Sequence, residues 1–299
     1  MSTWRKNETG WWRRFDSLAE LADVEASAGN LGHESLGRAS GAITSTDPDW
    51  YGHVDGNHGA IRVARGEFWA EGHEAMQTAQ SELGLATPKV KSRRRKAKWG
   101  REGNFLNADR LYAGDFDRMW RRHEPRPVDQ AGGSAVVRVV GYPTAHFGVS
   151  ALDYIHIGAA LTVLVDRLEE AGYRVEVDCT WGTSELAKSS RLPGAFSAPI
   201  KAANEPLDVN RMLRWTTHPG VFRTAAFMGC LTLPVRVSDS FGAVFHDDEE
   251  EQRVTQLLAG EPHPDGTIHV PSPSWCRGKD KAAKWLRSVL EPYGFEEGR

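Results

Sequence analysis

Cysteine is scarce in this chain of 299 residues, which contains only Cys179, Cys230 and Cys276. Their odd number and wide spacing form neither a disulfide framework nor a CxxC pair of metal ligands. Long apolar runs are missing as well: the longest, Ile157 to Val165, is far shorter than the about 20 residues of a membrane helix. These absences predict a protein of a reducing compartment, without disulfides or membrane spans.

An excess of charge of one sign is also missing. The chain has 37 Lys and Arg against 40 Asp and Glu, a formal charge of −3, so any contact with nucleic acid needs a local basic patch. With 40% hydrophobic and 26% charged residues, the composition is typical of a folded globular protein. Residues 1–14 contain no apolar h-region, which predicts that no signal peptide is present.

Tryptophan is concentrated near the start of the sequence, at Trp4, Trp11 and Trp12. Exposed aromatic side chains anchor many interfaces, so this segment is a candidate for binding an unidentified protein partner. The other interpretation is that the rings pack against the first helices of the chain. The sequence leaves both open.

Turn residues and charge divide the chain into three parts. Residues 1–84 alternate amphipathic stretches with glycine-rich turns and are predicted to form a helical N-terminal module. Residues 85–133 are predicted to be a basic connector that ends in a Gly-Gly pair. Residues 134–299 are predicted to form an α/β domain.

A strand–helix–strand unit opens the third part. The β-branched stretch 135–140 predicts a buried strand, and 173–177 predicts the next one. Ser150 and Asp153 have the spacing of a capping box at the start of a helix over 151–171, which ends before a glycine. We expect the two strands to be adjacent and parallel, with a right-handed crossover.

The remaining elements are marked less strongly. Residues 196–203 and 267–270 are predicted strands. Residues 207–231 read as a helix that breaks near His218, because Pro219 disfavours helix at the residue before it. The last helix carries a stripe of Ala and Leu residues on one face.

The motifs that identify many enzymes are missing, since the chain has no P-loop, no GxGxxG after a strand, no HExxH and no GxSxG. Two weaker catalytic candidates follow the predicted strands. His146 lies just beyond the first strand, where open α/β sheets bind ligands, and its imidazole titrates near neutrality. Asp178 follows the second strand and would line the same crevice. For both, a polar residue at a strand end is the competing interpretation.

A basic segment is the strongest functional signal. Eight cations fall within residues 89–101, with no acid among them and with Trp99 in their midst. Clustered Lys and Arg release counterions from a phosphate backbone, and Trp99 and Phe105 could stack on unpaired bases. The predicted nucleic-acid-binding residues are Lys89, Lys91, Arg93, Arg94, Arg95, Lys96, Lys98, Trp99 and Arg101. The alternative is a solvated linker extended by its own charge.

Short sequence features, in a fixed order, resemble a family of tailed-phage and prophage proteins whose core is similar to a von Willebrand A domain. The features that carry the resemblance are Trp50-Tyr51-Gly52, Trp69-Ala70-Glu71-Gly72, Ala108-Asp109-Arg110, Met119-Trp120, Gly158-Ala159-Ala160, Leu164-Val165-Asp166, Ala171-Gly172-Tyr173-Arg174-Val175-Glu176, Glu205-Pro206-Leu207-Asp208-Val209, and His218-Pro219 with Arg223. The resemblance covers most of the chain. It implies a von Willebrand A-like (Rossmann-like) α/β fold and an origin in a phage or prophage, and it brings no established activity.

A metal-competent von Willebrand A domain carries D-x-S-x-S where its first strand ends, because Asp and Ser oxygens hold a hard divalent cation. Here that position reads Gly141 to His146 and offers no carboxylate. Ser150 is expected to cap the helix instead. We therefore expect no metal and no other cofactor.

These features together predict a non-enzymatic phage or prophage protein of the host cytoplasm. It would act as an interaction module, contact nucleic acid through residues 89–101 and have no membrane partner. The alternative is an enzyme of unrecognised type, perhaps hydrolytic in its chemistry, with its site near His146 and Asp178. The crevice at the strand ends discriminates between them, because an enzyme needs converging polar groups there.

Overall fold

The computed structural model describes residues 5–6, 11–21, 51–52, 54–82, 97–100, 105–106, 108–123, 135–143, 148–183, 194–226, 229 and 266–295. The chain divides into two compact units. The first comprises residues 1–86 and 136–297, and the second comprises residues 87–135. The stretch predicted to be a connector therefore corresponds closely to a compact unit of its own.

Strands and helices are interspersed along the chain. Within the described ranges the strands are β1 (Arg5–Lys6), β2 (Trp11–Arg14), β3 (Ala97–Gly100), β4 (Phe105–Leu106), β5 (Trp120–His123), β6 (Val136–Gly141), β7 (Arg174–Thr183), β8 (Gly194–Lys201) and β9 (Ile268–Val270). The helices are α1 (Gly56–Ala64), α2 (Ala70–Glu82), α3 (Ala108–Tyr112), α4 (Ala151–Glu170), α5 (Val209–Thr216), α6 (Pro219–Val221) and α7 (Lys279–Leu290). A π-helical turn, Phe222–Ala226, follows α6. The fold is mixed α/β.

A six-stranded mixed sheet organises the first unit, in the order β1–β2–β8–β7–β6–β9. Strands β6 and β7 are adjacent and parallel, with Val137 opposite Val175 and Val139 opposite Val177, as the sequence predicts. β9 also runs parallel to β6, whereas β8 runs antiparallel to β7. The parallel pair requires a long crossover, which α4 supplies.

Helix α4 begins and ends as its sequence predicts. The Ser150 hydroxyl accepts a hydrogen bond from the Asp153 N–H at 3.2 Å and donates to the Asp153 carboxylate at 2.8 Å. The chain leaves the helix through Gly172, whose φ of 97° is accessible mainly to glycine. Thirteen of the twenty helical residues are buried, so α4 forms the centre of the core.

The core joins the N-terminal residues to the α/β elements. Phe15, Val63, Trp69 and Met76 belong to the same buried cluster as α4 and the sheet. The sequence predicted a separate helical module over residues 1–84, but the described residues of this range share one core with the α/β elements. The physical reason is that short amphipathic helices such as α1 and α2 bury their apolar faces only against another layer.

Close backbone packing fixes the position of α5 against α4. A Cβ atom built on Gly158 would lie 1.7 Å from Cγ2 of Thr217. The buried hydroxyls of Thr217 and Thr216 donate hydrogen bonds to backbone carbonyls of α5, so neither hydroxyl is left unsatisfied at this contact. Only glycine at position 158 permits the approach.

The two tryptophans of β2 lie beside cations. The Arg5 guanidinium lies 5.0 Å from the ring centre of Trp12, and the Lys6 ammonium lies 5.7 Å from that of Trp11. Both rings are half-buried. Trp4, the third tryptophan of the segment, lies outside the described residues.

A helix that crosses a membrane must be long and apolar. None of the described helices is both long enough and apolar enough to cross a bilayer.

Candidate functional site

Asp178 lies inside a strand and not after one. The sequence predicted that this strand ends at Val177, but β7 continues to Thr183 and pairs with β8 from Val177 onward. Aspartate is disfavoured in strands, which is why the sequence pattern predicted the strand end at this point. Because side chains alternate across a sheet, Asp178 faces away from the core that receives Val177 and Cys179.

Two arginines hold the Asp178 carboxylate. Arg14 of β2 donates from both terminal nitrogens, at 2.9 Å to each carboxylate oxygen, and Arg138 of β6 adds a third bond at 2.8 Å. The Asp178 side chain is 6% exposed, and Glu176 lies 3.5 Å from the Nε of Arg138. Burial opposes the charge of Arg14, but its bonds to Asp178 outweigh that effect and raise its pKa.

This geometry is that of a structural ion-pair cluster. Both carboxylate oxygens of Asp178 accept from guanidinium groups, and the three bonds occupy three of the about four lone-pair positions of the carboxylate. The cluster links strands that are far apart in sequence, since Arg14 and Asp178 are 164 residues apart.

We expect Asp178→Ala to lower the free energy of unfolding by about 2 to 3 kcal/mol. Removing one partner of a buried ion pair costs about 3 to 5 kcal/mol because the other charge is left uncompensated, and water around the half-exposed Arg14 reduces that cost. Urea denaturation measures the loss. The control Glu67→Gln breaks an exposed pair with Arg62 and should change stability by about 0.5 kcal/mol or less. Equal stability of the two variants would contradict the structural role.

The crevice at the strand ends is nearly filled where the structure describes its lining. A cavity of only about 10 Å³ remains beside Gly141, which is about the space of one water molecule. Its lining is mostly apolar: Gly141, Tyr142, Pro143, Ile157, Gly158, Leu161, Cys179, Thr216, Val270, Pro271 and Pro273. Burial raises the pKa of the Cys179 thiol, which donates to the Trp215 carbonyl at 3.6 Å and stays protonated. His146, the other catalytic candidate, lies outside the described residues.

Metal ligands do not gather in the described part of the chain, where no group of three or more His, Cys, Asp or Glu side chains has a suitable arrangement. Asp153, an acid next to the loop after β6, is occupied in the helix cap. It also accepts a hydrogen bond from the Gly278 N–H at 2.9 Å.

The second unit contains a three-stranded antiparallel sheet in the order β3–β5–β4. Its register places Trp99 opposite Arg121, and Arg121 opposite Phe105. Residues directly opposite each other share one face of an antiparallel sheet, so these three form a row across the strands. We call it the aromatic–arginine row.

Further cations stand beside this row. Lys98 is opposite Arg122 in the register of β3 and β5. Of the predicted nucleic-acid-binding residues, Lys98 and Trp99 therefore lie in this sheet, while Lys89, Lys91, Arg93, Arg94, Arg95, Lys96 and Arg101 lie outside the described residues. Arg121 and Arg122 were not among the residues predicted to bind nucleic acid. Both lie in the short stretch Trp-Arg-Arg-His. This stretch does not alternate between apolar and polar residues, so it did not predict a strand.

Other cations of the second unit are partly neutralised. Arg110 and Arg118 both reach the Asp115 carboxylate, at 3.6 and 3.3 Å. Arg110 and Arg118, in the α3 region, therefore have a carboxylate partner.

His218 occupies a buried junction in the first unit. Its Nδ1 accepts a hydrogen bond from the Val221 N–H at 3.1 Å and so caps α6, and its ring centre lies 4.1 Å from that of Trp69. The predicted break of the helix at this point is confirmed. Burial lowers the pKa of His218 to about 3, so the imidazole is neutral. Its Nε2, on which the proton must then reside, has no hydrogen-bond partner in the described ranges.

Two of the short sequence features that resemble the phage and prophage family are in contact at this junction. A Cβ atom on Gly52 would lie 3.1 Å from Pro219, and one on Gly220 would lie 2.7 Å from the Tyr51 carbonyl. The N-terminal Tyr51-Gly52 segment and the His218-Pro219 segment are therefore in direct contact. Packing accounts for these residues without assigning them a chemical role.

Comparisons with known proteins give one family. No curated protein and no solved structure matches the chain. A family model described as a domain of unknown function, DUF7192, matches residues 5–297, which is nearly the whole sequence and includes both compact units. The chain therefore belongs to the DUF7192 family.

Proposed function

We propose that the protein is a non-enzymatic nucleic-acid-binding protein whose second unit contacts single-stranded segments. The observation that carries this proposal is the aromatic–arginine row of Trp99, Arg121 and Phe105. Aromatic rings stack on bases of any sequence, and a guanidinium between them can pair with the phosphate backbone or stack as well. Lys98 and Arg122 add charge along the same strands.

The basic segment supports the same proposal. The cations at 89–96 precede β3 directly, so they extend the positive charge of the sheet along the chain. Basic residues that contact phosphates set affinity without reading sequence. We therefore propose binding with little base preference and with strong dependence on salt.

The first unit is proposed to be a von Willebrand A-like interaction module of a phage or prophage protein, acting in the host cytoplasm. The family-like pattern supports this proposal, as do the parallel β6–α4–β7 unit and the filled crevice, which suits a binding module better than an enzyme. An unidentified protein is its proposed partner. The enzyme alternative has less support, because Asp178 is held by two arginines.

Fluorescence anisotropy with a labelled oligo(dT) strand and with a duplex of equal length tests the nucleic-acid proposal. We expect the single strand to bind more tightly. The log of its affinity should fall with the log of salt concentration at a slope of about 0.7 per phosphate neutralised. Trp99→Ala and Phe105→Ala should each weaken single-strand binding by about 5- to 100-fold, since stacking contributes about 1 to 3 kcal/mol per base.

The basic segment is tested separately with Arg93, Arg94, Arg95 and Lys96 all replaced by alanine. This variant should weaken binding to every sequence and flatten the salt dependence. Arg110→Gln, in the same unit but paired with Asp115, is the matched control and should retain most of the affinity. Failure of the wild-type protein to bind either probe at low salt, or wild-type affinity in Trp99→Ala, would reject the proposal.

A further inference from the structure

A second concave site lies in the first unit, away from the filled crevice. It is a cavity of about 500 Å³ beside α5 and the end of β8, which we call the arginine groove. It is lined by Asp16, Ser17, Leu18, Ala19, Ala64, Arg65, Pro199, Ile200, Lys201, Ala202, Glu205, Arg211, Arg214 and Trp215. This volume is within the range of pockets that bind small molecules.

Positive charge exceeds negative charge in the lining, with three arginines and one lysine against Asp16 and Glu205. Two of these cations already bind carboxylates and backbone carbonyls of the protein. Lys201 is buried between the Glu169 carboxylate, at 2.5 Å, and the Val175 carbonyl, at 2.8 Å. Arg211 donates to Glu205 at 3.1 Å and to the Ile200 carbonyl at 3.2 Å.

Arg214 is bound differently from these two. Its Nη1 donates to the Gly66 carbonyl at 3.5 Å, a long hydrogen bond, and its buried Nε has no acceptor among the described residues. It has no ion pair within the described part of the chain. Burial lowers the pKa of Arg214, an effect that the charge of Asp208 offsets only in part. A guanidinium has five N–H donors and pairs best with a planar oxyanion that accepts two of them.

The rest of the lining sets the shape of a ligand. Leu18, Ala64, Ile200 and the buried Trp215 give the groove an apolar wall next to Arg214. A ligand that uses both would have an anionic head and an apolar body. An inorganic anion would satisfy the guanidinium but leave the wall in contact with water.

We propose that the arginine groove binds a small organic oxyanion, a carboxylate or a phosphate ester with an apolar body, whose oxygens accept hydrogen bonds from Arg214. The site belongs to the first unit and does not depend on the proposed contact between the second unit and nucleic acid.

Isothermal titration calorimetry on the full chain tests the proposal with benzyl phosphate, benzoate, inorganic phosphate and benzyl alcohol. We expect saturable one-to-one binding of benzyl phosphate or benzoate. Whichever of these binds more tightly identifies the head group. Inorganic phosphate lacks the apolar body and benzyl alcohol lacks the anionic head, so each should bind at least tenfold more weakly.

Variants then locate the binding. Arg214→Gln should weaken binding of the preferred probe at least tenfold, because a charge-assisted pair is lost. Ala19→Trp fills the groove from an exposed position and should have a similar effect even if Arg214→Gln is less stable. Arg62→Gln is the control, since Arg62 is exposed, pairs with Glu67 and does not line the groove.

The proposal is rejected if neither benzyl phosphate nor benzoate binds saturably to the wild-type chain. It is also rejected if Arg214→Gln and Ala19→Trp, each with a cooperative melting transition, bind the preferred probe as tightly as the wild type does. Oligonucleotide binding measured on the same variants should be unchanged, which separates this site from the one in the second unit.

Discussion

Leu161→Asp is expected to unfold the first unit. Leu161 is 1% exposed at the middle of α4, and the small apolar cavity beside it leaves space for about one water molecule. An unpaired carboxylate in such a place costs several kcal/mol, which is comparable with the whole stability of a typical domain. Circular dichroism during urea denaturation should show loss of the cooperative transition at neutral pH.

Leu152→Asp provides a control for this experiment on the same helix. Leu152 is 54% exposed, and it lies in the first turn of α4, where a negative charge interacts favourably with the helix dipole. We expect its midpoint to stay near that of the wild type. A cooperative transition for Leu161→Asp at the wild-type midpoint would contradict the position of α4 in the core.

The second large effect concerns acid. His218 has a pKa of about 3 in the folded chain against 6.5 for an ordinary histidine, chiefly because of burial. Between these values the unfolded chain binds a proton at His218 that the folded chain does not. Stability is therefore complete above about pH 6.5 and falls as the pH decreases, at about 1.4 kcal/mol per pH unit. From pH 6.5 to pH 4.5 this one group should cost roughly 2 to 3 kcal/mol.

The acid effect is measured by urea denaturation at several pH values for the wild type and His218→Asn. The asparagine oxygen keeps an acceptor for the Val221 N–H but does not titrate, so the variant should lose less stability on acidification. His58→Asn, an exposed site on α1, should keep the wild-type pH dependence. Parallel pH profiles for the wild type and His218→Asn would contradict the assignment.

Local sequence signals were sufficient for the β6–α4–β7 unit. The capping box, the glycine stop and the β-branched strands each occupy a few consecutive residues, and each describes a structure that forms over the same residues. The break before Pro219 is of the same kind. These elements were therefore predictable, and their boundaries were nearly correct except at the end of β7, which continues to Thr183.

The missed features depend on residues far apart in sequence. β2 reads Trp-Trp-Arg-Arg, which has little strand character, and it becomes a strand because β8 pairs with it. Asp178 is accommodated within β7 by Arg14 and Arg138 from two other strands. No local pattern contains that information.

The candidate sites also depend on residues that are far apart in sequence. The basic segment was visible because its charges are consecutive, but the alignment of Trp99 with Phe105 across Arg121 required the sheet register. The arginine groove is lined by four separate stretches of chain, and nothing near Arg214 in the sequence distinguishes it from its neighbour Arg211.

The pairing of β2 with β8 has a consequence for folding during synthesis. The paired residues are about 180 positions apart, with Trp11 opposite Gly194. At about 5 to 20 residues per second, the ribosome makes β8 roughly 10 to 40 s after β2. During that interval β2 cannot form its parallel ladder, whereas β6, α4 and β7 can assemble once residue 183 has emerged. One of the first strands to be synthesised is therefore among the last to join the sheet.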